Sequence, residues 1–138
     1  MPARYAYCGP DARNISPPLA WSGAPESTQS FVLVMVDPDA PGGGFAHWIV
    51  YDLAAEARTL PEGASGSLEL MEGRNDYGAV GYGGPCPPPG PPHRYFFRLH
   101  ALDVSSLDLP PGATMSKVLH VMDGHVLAEA EWMGTYKR

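Results

Sequence analysis

Phe31-Val32-Leu33-Val34-Met35-Val36-Asp37-Pro38-Asp39-Ala40-Pro41 is the stretch from which the rest of the chain is read. Its first six residues are all apolar, with no polar alternation, and predict a central strand covered on both faces. Pairing must stop at Asp37-Pro38-Asp39-Ala40-Pro41, because proline has no N–H to give to a ladder. Gly42-Gly43-Gly44 extends the break into a loop. His47-Trp48-Ile49-Val50-Tyr51-Asp52-Leu53 follows at once and predicts a second strand, returning antiparallel beside the first.

Working outward, Arg94 to Leu102 alternates, with Tyr95, Phe97, Leu99 and Ala101 on one side and Arg94, Arg98 and His100 on the other. That period of two predicts a third strand. Residues 67–71 carry a weaker strand signal. Thr114 is placed to cap a helix in which Met115, Val118, Leu119 and Met122 share one face, and Gly124 offers its stop. Val126, Ala128, Ala130 and Trp132 alternate with Glu129 and Glu131, which predicts a closing strand; a further helical turn or two is the competing reading. Residues 1–30 are loop-rich. Six prolines between residues 85 and 92 make that segment a stiff, extended loop. Trp21, Trp48 and Trp132 are expected in the core.

The chain of 138 residues and 14.8 kDa has the length of one domain, residues 1–138, with no repeat and no linker. Sixteen glycines and sixteen prolines exclude a helical bundle and favour short strands with elaborate loops. A net charge of -6 speaks against a nucleic-acid partner. No apolar run reaches the ~20 residues of a membrane span. The first residues show neither an apolar leader core nor a lipidation signal, so the expected location is the cytoplasm. There, Cys8 and Cys86 are expected as two reduced thiols. Their pairing would clip the N-terminal loop to the proline-rich loop, but two cysteines alone do not establish it. With no Cys-x-x-Cys pattern and no compact pair of histidines, neither a structural zinc nor any other metal is expected.

Polar residues gather where the predicted strands end. Asp37 and Asp39 lie just past the first strand, His47 opens the second and His93 opens the third. Antiparallel pairing of the first two strands brings the carboxylates and His47 to one sheet edge, and His93 joins them if its strand runs parallel to the second. Carboxylates beside histidines raise the imidazole pKa and keep it cationic near neutrality. Imidazolium and loop N–H groups could then hold a phosphate or carboxylate, and the carboxylates an ammonium. Arg94 is positioned to form a structural ion pair with Asp39. His100, His120 and His125 have no acidic neighbour in sequence and are read as structural. The competing reading is that Asp37-Pro38-Asp39 is a turn and the histidines are packing residues.

Ser16-Pro17-Pro18-Leu19-Ala20-Trp21, Asp37-Pro38-Asp39-Ala40-Pro41, His47-Trp48, Gly84-Pro85 with its prolines, and His93-Arg94-Tyr95 occur in this order. Together they resemble the phosphatidylethanolamine-binding protein family, and within it the bacterial branch similar to Raf kinase inhibitors. The resemblance runs from about Ala3 to the closing Gly134-Thr135-Tyr136. It implies an all-β-dominated Greek-key β-sandwich with a large central sheet, a smaller second sheet and one or two peripheral helices. It implies a pocket at Asp37, Asp39, His47, Gly84, Pro85, Cys86, Pro88 and His93 that holds phosphate-like or carboxylate anions. Relatives on this branch carry roughly a dozen residues, including a strand, before the segment matching Pro2-Ala3-Arg4-Tyr5. Its absence would expose a sheet edge that a second subunit could cover. The C-terminal helix flanking the pocket in mammalian members has no counterpart, which implies a more open pocket.

The function expected is that of a non-enzymatic binding protein for a phosphoryl or other small anionic group, whether a phospholipid headgroup or a phosphorylated side chain, with no cofactor. In that reading His47 and His93 donate to the anion, Asp37 and Asp39 fix the imidazoles, and loop N–H groups near Gly84 and Cys86 complete the cradle. Two alternatives stand beside it. One is a hydrolase using an Asp/His pair as general acid and base, for which the sequence supplies no evident nucleophile. The other is a regulator of a kinase pathway acting through protein contacts.

Overall fold

The computed structural model describes residues 1–138. Its elements in chain order are β1 (Leu19–Ala20), β2 (Ser30–Asp37), β3 (Phe45–Ala54), β4 (Thr59–Leu60), β5 (Met71–Glu72), β6 (His93–Leu102), α1 (Met115–Met122) and β7 (Val126–Tyr136). A 3-10 turn at Ala3–Tyr5 precedes them. β1 and β4 form a two-stranded sheet, and the other strands form a five-stranded sheet in the order β5-β3-β2-β6-β7. Every pairing is antiparallel. After β2, β3 and β5, the chain returns to lay β6 against β2, which is the Greek-key order. The family fold expected from the motifs is the fold observed.

The apolar run of β2 is central and buried on both faces. Phe31, Leu33 and Met35 join Trp48, Val50, Tyr95, Phe97 and Leu99 in a core shared with Leu60 of the small sheet. Val32 and Val34 point the other way, into a second core with Ile49, Tyr51, Leu102 and the helical residues Val118 and Met122. The alternation read in β6 is the one observed, since Tyr95, Phe97, Leu99 and Ala101 all lie in the first core. Thr114 caps α1 as its position suggests, its Oγ1 accepting the Lys117 N–H at 3.2 Å. The closing segment is a strand without added helical turns.

Four expectations need correction. Residues 67–70 form turns, and the short strand holds only Met71 and Glu72. Only Trp48 is fully buried, with its indole N–H on Glu72 Oε1 at 2.7 Å; Trp21 and Trp132 are half-buried against the first core. His100 and His125 do have acidic neighbours, which folding supplies. Pairing of β6 with β7 sets Glu129 opposite His100, 3.1 Å from Nδ1, and Asp103 lies 2.8 Å from His125 Nδ1. Lastly, Cys8 and Cys86 are not free thiols but a disulfide, with Cα atoms 5.3 Å apart. The Tyr7 N–H donates to Pro85 O at 2.8 Å, and this contact brings the two loops within bonding range.

The sheet leaves β7 as an exposed edge. At its end the ammonium group of Met1 donates to Thr135 O at 2.7 Å, so the start of the chain lies against the last strand.

Candidate functional site

β3 and β6 flank β2 and run opposite to it, so both begin where β2 ends. The condition for His93 to join Asp37 and His47 is therefore met. All three line one cavity of about 310 Å³ at that sheet end.

His47 owes its orientation to a register shift. Met35 pairs with Trp48 and Val36 with Ala46, which leaves His47 as the extra residue of a β-bulge. The bulge turns its ring toward Tyr95, 5.2 Å away edge-to-face, and out of simple alternation. Two hydrogen bonds then lock it to Gly83. The His47 carbonyl accepts the Gly83 N–H at 2.9 Å, and His47 Nδ1 lies 2.6 Å from Gly83 O. Since a carbonyl only accepts, the proton sits on Nδ1 and Nε2 is left with its lone pair. Burial pushes the His47 pKa down, against the opposing pull of the Gly83 carbonyl and the Asp37 charge. The expectation of a carboxylate-raised imidazolium fails at this residue because desolvation outweighs the carboxylate.

Asp37 is buried, and each of its carboxylate oxygens accepts one hydrogen bond. Oδ1 accepts the Asp39 N–H at 2.8 Å, closing the turn over Pro38. Oδ2 takes the His93 Nδ1–H at 2.7 Å. His93 is thus held by Nδ1, as His47 is, and Nε2 is again the ring nitrogen left for a ligand.

The remaining wall is apolar and stiff. Phe45, Tyr77 and Tyr95 supply rings, and Ala40, Pro41, Cys86, Pro87 and Pro88 supply the rim. Tyr77 stacks on Tyr7 with ring centres 4.1 Å apart and donates its O–H to Gly84 O at 2.7 Å. Burial holds its phenol un-ionised, with the pKa raised to about 12. Cys86 in the rim is disulfide-bonded to Cys8, the residue after Tyr7, so one bond ties the cavity wall to the N-terminal loop.

Three residues expected at the site stand outside the cavity. Gly84 and Pro85 lie behind it, and the Gly84 N–H is already given to Asn14 Oδ1 at 2.7 Å. Asp39 turns away on the far side of His93, where its carboxylate takes Arg94 Nε at 3.0 Å, Arg94 Nη2 at 2.8 Å and the Arg94 amide at 2.9 Å. These bonds hold the Asp39 carboxyl down at about 2. The two carboxylates expected to act together are separated: Asp37 orients His93, and Asp39 pins the start of β6 through Arg94. Conversely, sequence reasoning missed the aromatic wall and Arg138, whose side chain reaches the cavity from beyond the end of β7. Nothing local marks Arg138.

Comparison with known proteins agrees with this architecture. The family model described as phosphatidylethanolamine-binding protein matches residues 1–137. A UPF0098 protein of Aquifex aeolicus is 52% identical over 132 residues, covering 93% of this chain and 77% of the relative. The UPF0098 protein YbhB of Escherichia coli is 44% identical over 138 residues, covering 94% and 87%. Among solved structures, a putative phosphatidylethanolamine-binding protein homologue from Chlamydia trachomatis superposes with a TM-score of 0.89 at 42% identity, covering 99% of this chain and 88% of that one. YbcL of Escherichia coli, described as a new member of the mammalian family, superposes with a TM-score of 0.92 at 34% identity, covering 100% and 90%. A Greek-key sheet with an Asp/His hollow at its end, carried by a sequence with these relatives, defines the class. The chain belongs to the phosphatidylethanolamine-binding protein family.

Proposed function

We propose that this is a non-enzymatic, single-domain binding protein whose cavity at Asp37, His47 and His93 holds a small phosphoryl or related anionic group. One observation carries the proposal: two histidines from different strands are each anchored through Nδ1, which leaves both Nε2 atoms for one ligand in one cavity. Their chemistry is unequal. His47 Nε2 accepts, and so suits a ligand O–H or N–H. His93 against the Asp37 carboxylate can donate from Nε2 in its imidazolium form. A group bearing both an anionic oxygen and a proton donor satisfies the two together. The rigid proline rim reduces what binding must spend on ordering the wall.

The test is titration calorimetry with inorganic phosphate and with O-phosphoethanolamine. His93→Ala should abolish the heat of binding for both probes; an unchanged affinity would overturn the site. Slow turnover of a phosphomonoester, lost in Asp37→Asn, would instead favour the hydrolase reading. No helix is long and apolar enough to cross a membrane. The Cys8–Cys86 disulfide is the handle on the proposed cytoplasmic location, because a cytosolic thiol pool reduces accessible disulfides. Alkylation of thiols at lysis reads this directly, and a fully oxidised pair would point to an oxidising compartment. A homodimer through the exposed edge of β7 is the assembly proposed, and a monomer in sedimentation would exclude it.

A further inference from the structure

We propose that Arg138 supplies the counter-charge for the ligand, and that the cavity therefore takes a terminal phosphomonoester or free phosphate in preference to a phosphodiester or a carboxylate. The inference rests on the anion-binding reading above and adds to it a residue and a narrower ligand class.

Three of the six other arginines have found an acid. Arg4 pairs with Glu62 at 3.1 Å, Arg94 with Asp39 at 2.8 Å and Arg98 with Glu131 at 2.9 Å. Arg58 and Arg74 spend their guanidinium groups on backbone carbonyls. Arg138 lines the cavity and makes one hydrogen bond, from Nε to Pro87 O at 2.6 Å. That bond sets Nε against the proline rim and leaves the two terminal nitrogens without a protein partner. Meanwhile the one carboxylate side chain lining the cavity, Asp37, has one oxygen on His93 and the other on the Asp39 amide. The hollow thus has its anion satisfied and its permanent cation unsatisfied, in a chain of net charge -6. An incoming anion meets no free carboxylate there and one oriented fork of N–H donors.

The fork selects chemistry as well as charge. Two terminal nitrogens match two oxygens of one phosphoryl group, a bidentate contact that a lysine could not make. His47 sets the second condition, because Gly83 O fixes its Nδ1 proton and leaves Nε2 as an acceptor. A monoester or free phosphate near neutrality can keep one P–O–H for that nitrogen while offering anionic oxygens to Arg138 and His93. A phosphodiester has no such proton, and neither has a carboxylate. Left facing either, Nε2 would give up its contact with water for no hydrogen bond in return.

The experiment compares inorganic phosphate, methyl phosphate (a monoester), dimethyl phosphate (a diester) and acetate by calorimetry at low ionic strength. It uses the wild type, Arg138→Gln, Arg138→Lys and His93→Ala, with thermal melts to confirm that each variant folds. We expect the monoester and phosphate to bind about tenfold or more tightly than the diester and acetate. Arg138→Gln should weaken monoester binding by about tenfold or more, and Arg138→Lys should fall between, retaining charge but not the fork. Monoester affinity unchanged in Arg138→Gln while His93→Ala has lost it would overturn the role of Arg138 and leave the site standing. Equal affinity for monoester and diester would overturn the ligand class. Absence of wild-type binding to every probe would overturn the anion-binding reading itself, and this inference with it.

Discussion

A methyl group on Gly83 would sit 2.4 Å from the Tyr77 ring and 3.2 Å from Asn75 Nδ2. Neither can retreat freely. The Tyr77 O–H is held by Gly84 O, and Asn75 braces the same loop by donating to Gly81 O at 2.9 Å. Gly83→Ala should therefore cost about 1–3 kcal/mol of stability as an overpacking change. It should also weaken phosphate binding by displacing the ring that forms the cavity wall. Urea unfolding and phosphate titration check both effects, and an unchanged midpoint would mean that Tyr77 swings aside at no cost. At this scale the sequence was legible only in part. Asp37, His47 and His93 stood out because polar residues at the ends of apolar strands have little else to do. Asp39 was expected both in the pocket and as the partner of Arg94, and the rigid φ of Pro38 and the reach of Arg94 leave it only the second place. Arg138 carried no local signal because its role depends on where β7 ends in space.

The loop Tyr82 to Pro92 has no regular hydrogen-bonded structure, so its position depends on what grips it. Tyr7 holds it at Pro85 O, Asn14 at the Gly84 amide, and the Cys8–Cys86 bond closes a separation of 78 residues. A cross-link over a loop of that length stabilises by about 4.5 kcal/mol through the entropy of the unfolded chain. Reduction, or Cys8→Ala, should lower the melting temperature accordingly. Cys8→Ala is the sharper probe because it leaves Cys86 in the cavity wall. It should also loosen Tyr7 from Tyr77 and reduce phosphate affinity; a large loss of stability with affinity intact would show that the clip serves only the fold. Among the elements, β2, β3, β6, α1 and β7 were readable because their apolar periods are long. The bulge at His47 was not, since the pattern of β3 runs unbroken across it and only the pairing with β2 reveals the extra residue. The disulfide was invisible for a related reason: two cysteines far apart in sequence say nothing of distance until the loops are packed.

Across the whole molecule, burial of the sheet on both faces has a consequence for acid stability. His47 and His100 both lie in it, and burial lowers the pKa of each below the ordinary 6.5. At His100 the Glu129 charge opposes that shift without cancelling it, while Arg98 reinforces it, and Nε2 has no hydrogen-bond partner. A histidine with a lowered folded-state pKa binds fewer protons folded than unfolded as the pH falls through 6.5. Protons then favour the unfolded chain, so the stability these two residues allow is full above 6.5 and declines below it, until the folded-state pKa values are passed. Asp39 adds a later loss of the same sign. Its carboxyl is held at about 2 against an ordinary 3.8, so its pairing with Arg94 fades only as the pH drops through that lower window. The urea midpoint should accordingly fall in two stages on acidification, the first beginning near 6.5. His100→Phe removes one titrating group without touching the cavity and should flatten part of the first stage, whatever its effect on absolute stability. Saturating phosphate should raise the urea midpoint in the wild type and less so in Arg138→Gln. A first stage that is identical in wild type and His100→Phe would show that His100 titrates alike in the folded and unfolded chains, and would remove it from the acid response.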